Sequence, residues 1–222
     1  SLPKVETVVF SEDGSVTNNT IFFYFQYLPY IFVLILFVGM APILVLQNEK
    51  DMKARTDVSC LPSKSRSFQS FLAGGLLALC IWIAFVVVAL ILFGKDFFNA
   101  RVYLAMANSF VFVVFSVAIT LLVSVFAPNE NMVNILANVI GLSMSFLCGV
   151  FVPQSMLSEK VLAVAKFLPC YWYIANNDML SGASSRVFET KFFWQCIGIQ
   201  ALFAVAMFAI TFSFSRARKR AQ

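Results

Sequence analysis

The residue types that carry most enzyme chemistry are scarce in this chain, which has 222 residues and no histidine. Without histidine, the sequence cannot form Ser-His-Asp or Cys-His triads, HExxH zinc sites or histidine proton relays. Its five cysteines are far apart and none forms a CxxC pair, so their spacing indicates neither a metal site nor a redox site. We therefore expect no catalytic residue and no metal ligand in this chain.

The dipeptide Gly94-Lys95 resembles the end of a nucleotide-binding P-loop. That pattern requires a glycine at the fifth position before Gly94, and the residue there is Ala89. The chain is therefore predicted not to bind ATP by this route, and no cofactor is expected in it.

The elements that would position any functional group are long apolar segments. The chain is 60% hydrophobic and 12% charged, whereas ordinary soluble domains carry about 25% charged residues. Five uncharged runs each exceed the roughly 20 residues that a helix needs to cross about 30 Å of hydrocarbon. The sequence therefore predicts an all-α, polytopic membrane protein with a transmembrane domain over residues 21–222. The predicted spans cover residues 21–47, 67–94, 102–128, 131–153 and 192–215.

Amides and hydroxyls, but no charged residues, interrupt the apolar character of these spans. Ion-coupled carriers usually place ionisable groups at membrane depth, at a cost of about 2.5–3.5 kcal/mol each on insertion scales. The polar side chains either form interhelical hydrogen bonds, worth about 0.6 kcal/mol per contact, or line a weakly polar path for an amphipathic substrate. The candidates for such a lining are Asn108, Asn138, Ser143 and Ser145.

Basic residues are concentrated on one side of the predicted membrane. Residues 48–66, the link after the third span and the C-terminal tail together carry nine basic and four acidic residues, and the opposite side carries seven of each. Because cytoplasmic loops carry an excess of Lys and Arg, the sequence predicts an N-terminus outside and a C-terminus in the cytoplasm. This charge suits anionic lipid, and no nucleic-acid partner is predicted.

Residues 1–20 precede the first predicted span. They alternate enough over residues 5–10 to form a strand, which a turn at Asp13-Gly14 would end. So short a segment cannot form a core of its own. We expect either a short exoplasmic tail or the end of a larger exoplasmic domain.

The most charged stretch, residues 48–66, reads NEKDMKARTDVSCLPSKSR. The pairs Glu49/Lys53 and Asp51/Arg55 have the i, i+4 spacing that favours a helix. Pro62 cannot continue that helix, so a polar turn and a new membrane helix from about residue 68 are expected. The stretch is either a solvated positive-inside loop or a docking surface, and its apolar residues favour docking. These residues are Val58, Cys60 and Leu61.

Residues 141–181 contain two breaks marked by proline. The apolar run from residue 131 is expected to end at Pro153. The segment 161–168 is too short to span a membrane, and Pro169 is expected to end it before the aromatic residues 171–173. Irregular backbone at membrane depth must be shielded by protein or line a cavity. The sequence therefore predicts an outer re-entrant segment.

These two stretches together resemble the membrane subunit of type-2 ABC exporters, the ABC transporter permeases. The first is the charged connector ending in LPSKSR at residues 61–66. The second is the Gly-x-Phe-x-Pro motif at residues 149–153, followed by Leu168-Pro169 and an aromatic cluster. The resemblance covers about residues 45–215. A permease half in that family has six spans, and the five predicted here resemble spans two to six.

The resemblance implies a permease subunit that forms the translocation path of an ATP-driven exporter and is not itself an enzyme. It implies a separate ABC ATPase subunit that binds ATP and Mg, a second permease copy in a homo- or heterodimer, and the cell inner (plasma) membrane. A short cytoplasmic coupling helix would contact the ATPase through Asp57, Val58, Cys60, Leu61, Pro62, Ser63, Lys64, Ser65 and Arg66. The outer gate would be shaped by Gly149, Phe151, Pro153, Leu168 and Pro169.

Two other classes of protein are less consistent with the sequence. A secondary carrier or channel not driven by ATP would need buried ionisable groups or a filter loop. An intramembrane enzyme would need histidine or paired carboxylates within the spans. No motif in the sequence identifies the substrate. A path with uncharged, Phe-rich walls would favour an amphipathic or lipid-like molecule such as a peptide antibiotic, a drug or a lipid.

Overall fold

The computed structural model describes residues 15–48, 63–127, 129–183 and 188–220. Within these ranges, only the backbone is described for the helical residues 15–19, 41–48, 63–71 and 215–220. These described ranges contain seven α-helices, two short 3-10 turns and no strand. The helices are α1 (Ser15–Asn48), α2 (Ser63–Phe93), α3 (Ala100–Phe126), α4 (Glu130–Cys148), α5 (Glu159–Ala165), α6 (Pro169–Ser181) and α7 (Thr190–Arg220). The strand expected over residues 5–10 lies outside the described residues.

Five of these helices, α1, α2, α3, α4 and α7, are long and apolar enough to cross a membrane. Their apolar windows have mean hydropathies between 1.5 and 3.2. A helix satisfies its own backbone hydrogen bonds, and this is what a segment in hydrocarbon requires. The predicted all-α, polytopic class with five spans is therefore confirmed.

Helix α3 lies at the centre of the bundle. It packs most extensively against α1 and α7, and it also contacts α6 and α2. Its buried face includes Phe112, Phe115 and Val113. By contrast, α2 exposes large apolar side chains along much of its length, among them Leu76 and Ile91. Helix α2 therefore presents the apolar surface expected of a lipid-facing helix.

Helix α4 ends at Cys148, five residues before the expected end at Pro153. Gly149 adopts a left-handed conformation with φ of 103°, and its N–H donates to the Ser145 carbonyl oxygen. Glycine takes this conformation without the Cβ penalty of other residues, so it ends the helix before Pro153 can. Pro153 instead precedes the 3-10 turn Gln154–Met156.

Pro169 begins helix α6 and does not simply end the segment before it. Proline suits the first helical position because its missing N–H would have no partner there. The expected re-entrant segment over residues 161–168 therefore consists of most of the short α5, whose outward side chains are largely exposed, and the three residues that precede α6. Of the three aromatic residues expected at the membrane interface, Tyr173 is fully buried.

Helix α2 begins at Ser63, about five residues earlier than expected. Residues 63–67 contain no glycine or proline, so nothing in their backbone chemistry prevents the helix from reaching back to the residue after Pro62. The prediction of a polar turn between Pro62 and a helix beginning at about residue 68 is therefore wrong. The acid–base pairs over residues 49–55, which favoured a short helix, lie outside the described residues.

Candidate functional site

The start of α1, the end of α4, and helices α5 and α6 meet at one end of the bundle, which we call the α6 end. A cluster of buried amides lies there between α3, α6 and α7. Asn108 of α3 donates from Nδ2 to the Tyr173 carbonyl oxygen at 3.0 Å. Its Oδ1 accepts from Asn176 Nδ2 at 3.2 Å and from Gln200 Nε2 at 2.9 Å. All three amide side chains have at most 1% of their surface exposed.

The amide cluster lies well inside the bundle and not at its rim. Asn108 is eight residues into α3 and Gln200 is ten residues into α7, which corresponds to depths of about 12 and 15 Å along the helix axes. Because Asn176 reaches both side chains, α6 must enter the bundle from its end. It is therefore α6, Pro169–Ser181, and not the expected segment over residues 161–168, that enters the bundle.

Helix α6 is also held against α1. The Tyr173 hydroxyl donates to the Phe25 carbonyl oxygen at 2.6 Å, and Asn177 Nδ2 donates to the Phe22 carbonyl oxygen at 3.0 Å. The Tyr173 ring packs on Phe112 of α3 with 5.2 Å between ring centroids. These contacts join residues separated by as many as 155 positions in the sequence. Helix α6 is thereby fixed to α1, α3 and α7 at once.

The turn after α4 is tied to both α1 and α6. Gln26 Nε2 donates to the carbonyl oxygens of Gly149 and Val150 at 3.0 and 3.2 Å. Gln154 Nε2 donates to the carbonyl oxygens of Cys148 and Tyr171 at 2.8 and 3.2 Å. Gln154, which directly follows Pro153, thus joins the turn after α4 to α6, and Gln26 joins the same turn to α1.

The other residues of the expected outer gate differ in burial. Phe151 contacts the rings of Tyr30 and Phe146, each with 5.1 Å between centroids. Pro169 is buried, Leu168 is half-buried and Pro153 is exposed. The aromatic contacts of Phe151 thus connect the turn after α4 with α1.

The four residues expected to line a path are not brought together. Asn108 is buried within the amide cluster, and Ser145 is buried beneath the Gly149 turn. Asn138 and Ser143 are exposed on α4, where Asn138 Nδ2 donates to the Asn134 carbonyl oxygen at 2.9 Å. Asn108 thus forms interhelical hydrogen bonds, while Asn138 and Ser143 lie on a surface outside the bundle.

The exposed face of α4 differs in chemistry from that of α2. Three exposed asparagines, Asn131, Asn134 and Asn138, follow an i, i+3, i+7 spacing that places them along one side of α4. Beside them lie exposed apolar side chains such as Ile135 and Phe146. This mixed face is unlike the apolar surface of α2, and the hydrocarbon of a membrane does not solvate amides well.

The residues expected to contact an ATPase are described only in part. Asp57, Val58, Cys60, Leu61 and Pro62 lie outside the described residues. The backbone at Ser63, Lys64, Ser65 and Arg66 forms the first turn of α2. These four residues are therefore continuous with a membrane helix that contacts α3 and α1.

Three side chains that join elements at the α6 end were not predicted from the sequence: Asn176, Asn177 and Gln154. The run Asn176-Asn177-Asp178 is a polar interruption in an otherwise apolar segment, and that signal was available. The sequence could not reveal that Asn176 and Asn177 reach neighbouring helices, because the re-entrant segment was expected to end at Pro169, before both residues.

Comparison with known families bears directly on this helical arrangement. The family model for the ABC-2 type transporter membrane domain matches residues 5–176, more than three quarters of the chain. The chain belongs to the ABC-2 type transporter family. Comparison with curated proteins and with solved structures found no match.

The predicted resemblance to ABC transporter permeases is therefore confirmed. This ABC-2 protein is a multi-pass membrane protein and the permease subunit of an ABC transporter. Its role is transport, and the polar groups described above hold its helices together through hydrogen bonds. The matched region includes α1 to α4, the turn at Gly149 and the amides of α6 up to Asn176.

Proposed function

We propose that this ABC-2 permease is one half of a dimeric exporter in the inner (plasma) membrane, driven by a separate ATPase subunit that binds ATP and Mg. Two permease copies would enclose the translocation path, and ATP-driven closure of the ATPases would change the arrangement of the spans. Such a change is a shift between two states of the helical bundle. Substrate and nucleotide would each bind one of these states more tightly than the other.

The mixed polar and apolar face of α4 is the observation that supports a translocation path between two permease copies. An amide without a hydrogen-bonding partner in hydrocarbon costs several kcal/mol, on the order of 2–7. The exposed Asn134 amide, and the amide oxygen of Asn138, whose Nδ2 already donates within α4, would avoid this cost if α4 faced a second permease or a hydrated path. The apolar face of α2 incurs no such cost against lipid, so α2 belongs at the periphery.

The first turn of α2 provides the proposed connection to the ATPase. Residues 57–66 would receive the movement of the ATPase, and Ser63–Arg66 would pass it directly into α2 because they are part of that helix. Helix α2 contacts α3, and Trp82 Nε1 of α2 donates to Ser109 Oγ of α3 at 3.0 Å. A displacement at the cytoplasmic end would thus reach the residue next to the amide cluster.

The distribution of charge supports the proposed orientation, in which the α6 end faces outward. Residues 48–66 and the tail after residue 215 then lie in the cytoplasm, with the excess of Lys and Arg expected there. In this orientation, α5, α6 and the Gly149 turn form the outer gate. The hydrogen bonds of α6 to three spans would make that gate move as one unit with α1, α3 and α7.

Cysteine cross-linking in native membranes tests the dimer and its path. Asn138→Cys on α4 is compared with Ile83→Cys, an exposed apolar position midway along α2. We expect a disulfide-linked dimer with Asn138→Cys, altered by ATP when the ATPase is present, and none above the parent protein with Ile83→Cys. The reverse result would contradict the assignment of α4 to the path. Transport driven by an ion gradient without ATP would instead indicate a secondary carrier.

A further inference from the structure

A small open cleft lies at the α6 end, between the start of α1 and the C-terminal end of α6. It has a volume of about 140 Å³. Phe22, Phe23 and Gln26 line it from α1, and Asn177, Asp178 and Ser181 line it from α6. A single water needs about 10–15 Å³ by a comparable measure, so the cleft has room for a small polar group and its substituents.

The donor groups of the polar side chains in this cleft already form hydrogen bonds within the protein, whereas several of their acceptor groups do not. Gln26 Nε2 donates to two backbone carbonyl oxygens, and Asn177 Nδ2 donates to a third. The Ser181 hydroxyl donates to the Asp178 carbonyl oxygen at 3.0 Å. Within the described ranges, the acceptors that remain for a ligand are the amide oxygens of Gln26 and Asn177 and the carboxylate of Asp178.

The Asn177 amide oxygen is a particular case of an unused acceptor. The Asn177 side chain is only 2% exposed, and its Oδ1 has no hydrogen-bond partner among the described residues. A buried acceptor left without a donor costs about 1–3 kcal/mol. The fold therefore keeps an unsatisfied oxygen beside the cleft, where an incoming N–H group would satisfy it.

Asp178 adds a negative charge without a compensating positive charge in the part of the chain that the structure describes. Burial alone raises the pKa of Asp178 to about 6, and no neighbouring cation lowers it. The carboxyl group is therefore mostly ionised at neutral pH, in an environment that stabilises it poorly. A cation bound at the cleft would supply the missing counter-charge.

The apolar wall of the cleft suits the same type of ligand. Phe23 of α1 lines the cleft, and 56% of its surface is exposed. An ammonium near an aromatic ring gains about 0.5–2 kcal/mol from the ring quadrupole. Carboxylate, amide oxygens and aromatic rings together form the set of groups that recognises a protonated amine.

We propose that this cleft is a binding site for the ammonium group of an amphipathic amine, held by the Asp178 carboxylate, the amide oxygens of Gln26 and Asn177, and the phenylalanine rings. The site rests on the proposed function in one respect, because it assigns the exported substrate to the amphipathic amines. It lies at the end of the bundle where an exporter would release its substrate. The apolar part of the amine would remain along Phe23 and the adjacent lipid.

Binding to the purified full-length protein in maltoside micelles at pH 7.5 tests this site. The probes are phenethylammonium and its neutral counterpart 2-phenylethanol. We expect the ammonium probe to bind at least about tenfold more tightly than the alcohol, and Asp178→Asn to remove that difference, because a hydrogen bond to a charged group is the stronger type. Asp96→Asn is the matched control, since Asp96 lies in the 3-10 turn Gly94–Phe98 and does not line the cleft.

A second comparison identifies the source of the amine. The same titration is done in nanodiscs of phosphatidylcholine and of phosphatidylethanolamine. If the ethanolamine lipid weakens binding of the probe, and Asp178→Asn abolishes this effect, the occupant is a lipid headgroup. If the lipid has no effect, the occupant is a free amine.

Equal binding of the ammonium probe to the parent protein and to Asp178→Asn would overturn the proposal. So would equal binding of the amine and the alcohol to the parent protein. None of these titrations requires an ATPase or transport. A failure here therefore leaves the permease role intact, and a failure to find an ATPase partner leaves the binding result intact.

Discussion

Replacing Asn108 by leucine tests whether the amide cluster holds α6 inside the bundle. Leucine has a similar shape but cannot replace any of the three hydrogen bonds that Asn108 makes to α6 and α7. The change leaves the Gln200 Nε2 donor without this acceptor and Asn176 Nδ2 with only the long 3.4 Å contact to the Phe193 carbonyl oxygen.

The magnitude follows from these contacts. Three interhelical hydrogen bonds at about 0.6 kcal/mol each give roughly 2 kcal/mol. A buried donor that loses its partner costs about 1–3 kcal/mol, part of which is already included in that figure. We therefore expect Asn108→Leu to lower the free energy of unfolding by about 2–4 kcal/mol.

The assay is unfolding in mixed micelles by titration with sodium dodecyl sulfate. Asn138→Leu is the matched control, because Asn138 is exposed and bonds only to a carbonyl oxygen of its own helix. A double-mutant cycle with Asn176→Leu should give a coupling energy of about 0.5–3 kcal/mol, as residues in one hydrogen-bond network do. Equal stability of Asn108→Leu and Asn138→Leu would refute the reasoning.

A local measurement separates loss of α6 from general loosening. Cys170 of α6 is a thiol with 1% of its surface exposed, and Cys196 of α7 is a second buried thiol. If Asn108→Leu detaches α6, maleimide should label Cys170 well before Cys196, as peptide-level mass spectrometry would show. Equal labelling of the two thiols would indicate that the whole bundle has opened.

Two other substitutions at the α6 end have definite expected outcomes. Gly149→Ala should lower the free energy of unfolding by about 2–3 kcal/mol, since a left-handed residue with a Cβ costs about 1–2 kcal/mol and the new Cβ would lie 2.6 Å from Gln154 Cγ. The control is Gly94→Ala, which should cost about 1 kcal/mol because Gly94 has a positive φ but no atom within 4 Å of the new Cβ. Equal losses for the two variants would contradict this expectation. Asp178→Asn should raise stability at pH 7.5 by about 1–2 kcal/mol, because a pKa of about 6 in the folded state means that ionisation opposes folding. This gain should disappear as the pH falls from 6 to 4, where the native carboxyl group is protonated, and a gain that is constant over that range would contradict the burial of Asp178.

The spans could be predicted from the sequence because hydrocarbon imposes a simple requirement on length and polarity. Any run of about 20 apolar residues meets it, whatever lies beside it in the folded protein. The end of α4 was harder to predict, because Gly149 and Pro153 are both plausible helix terminators and the glycine acts first. The role of Pro169 was ambiguous for the same reason, since proline can follow one helix and begin another.

The positions of the buried amides could not be predicted. Asn108 is separated by 68 positions from its partner Asn176 and by 92 positions from its partner Gln200, so no local sequence pattern relates them. Asn138 has the same side chain and a similar place within a span, yet it is exposed. The difference arises only from which face of each helix meets α6, and this depends on the tertiary arrangement.

Co-purification of the full-length protein with an ABC ATPase subunit from native membranes tests the central claim most directly. We expect the ATPase to be recovered with the parent permease and to be substantially reduced with Lys64→Glu combined with Arg66→Glu, which reverses two charges in the first turn of α2. A charge reversal in the tail, Arg218→Glu with Arg220→Glu, is the control and should leave recovery unchanged. Failure to recover any ATPase with the parent protein, together with transport that proceeds without ATP, would contradict the account.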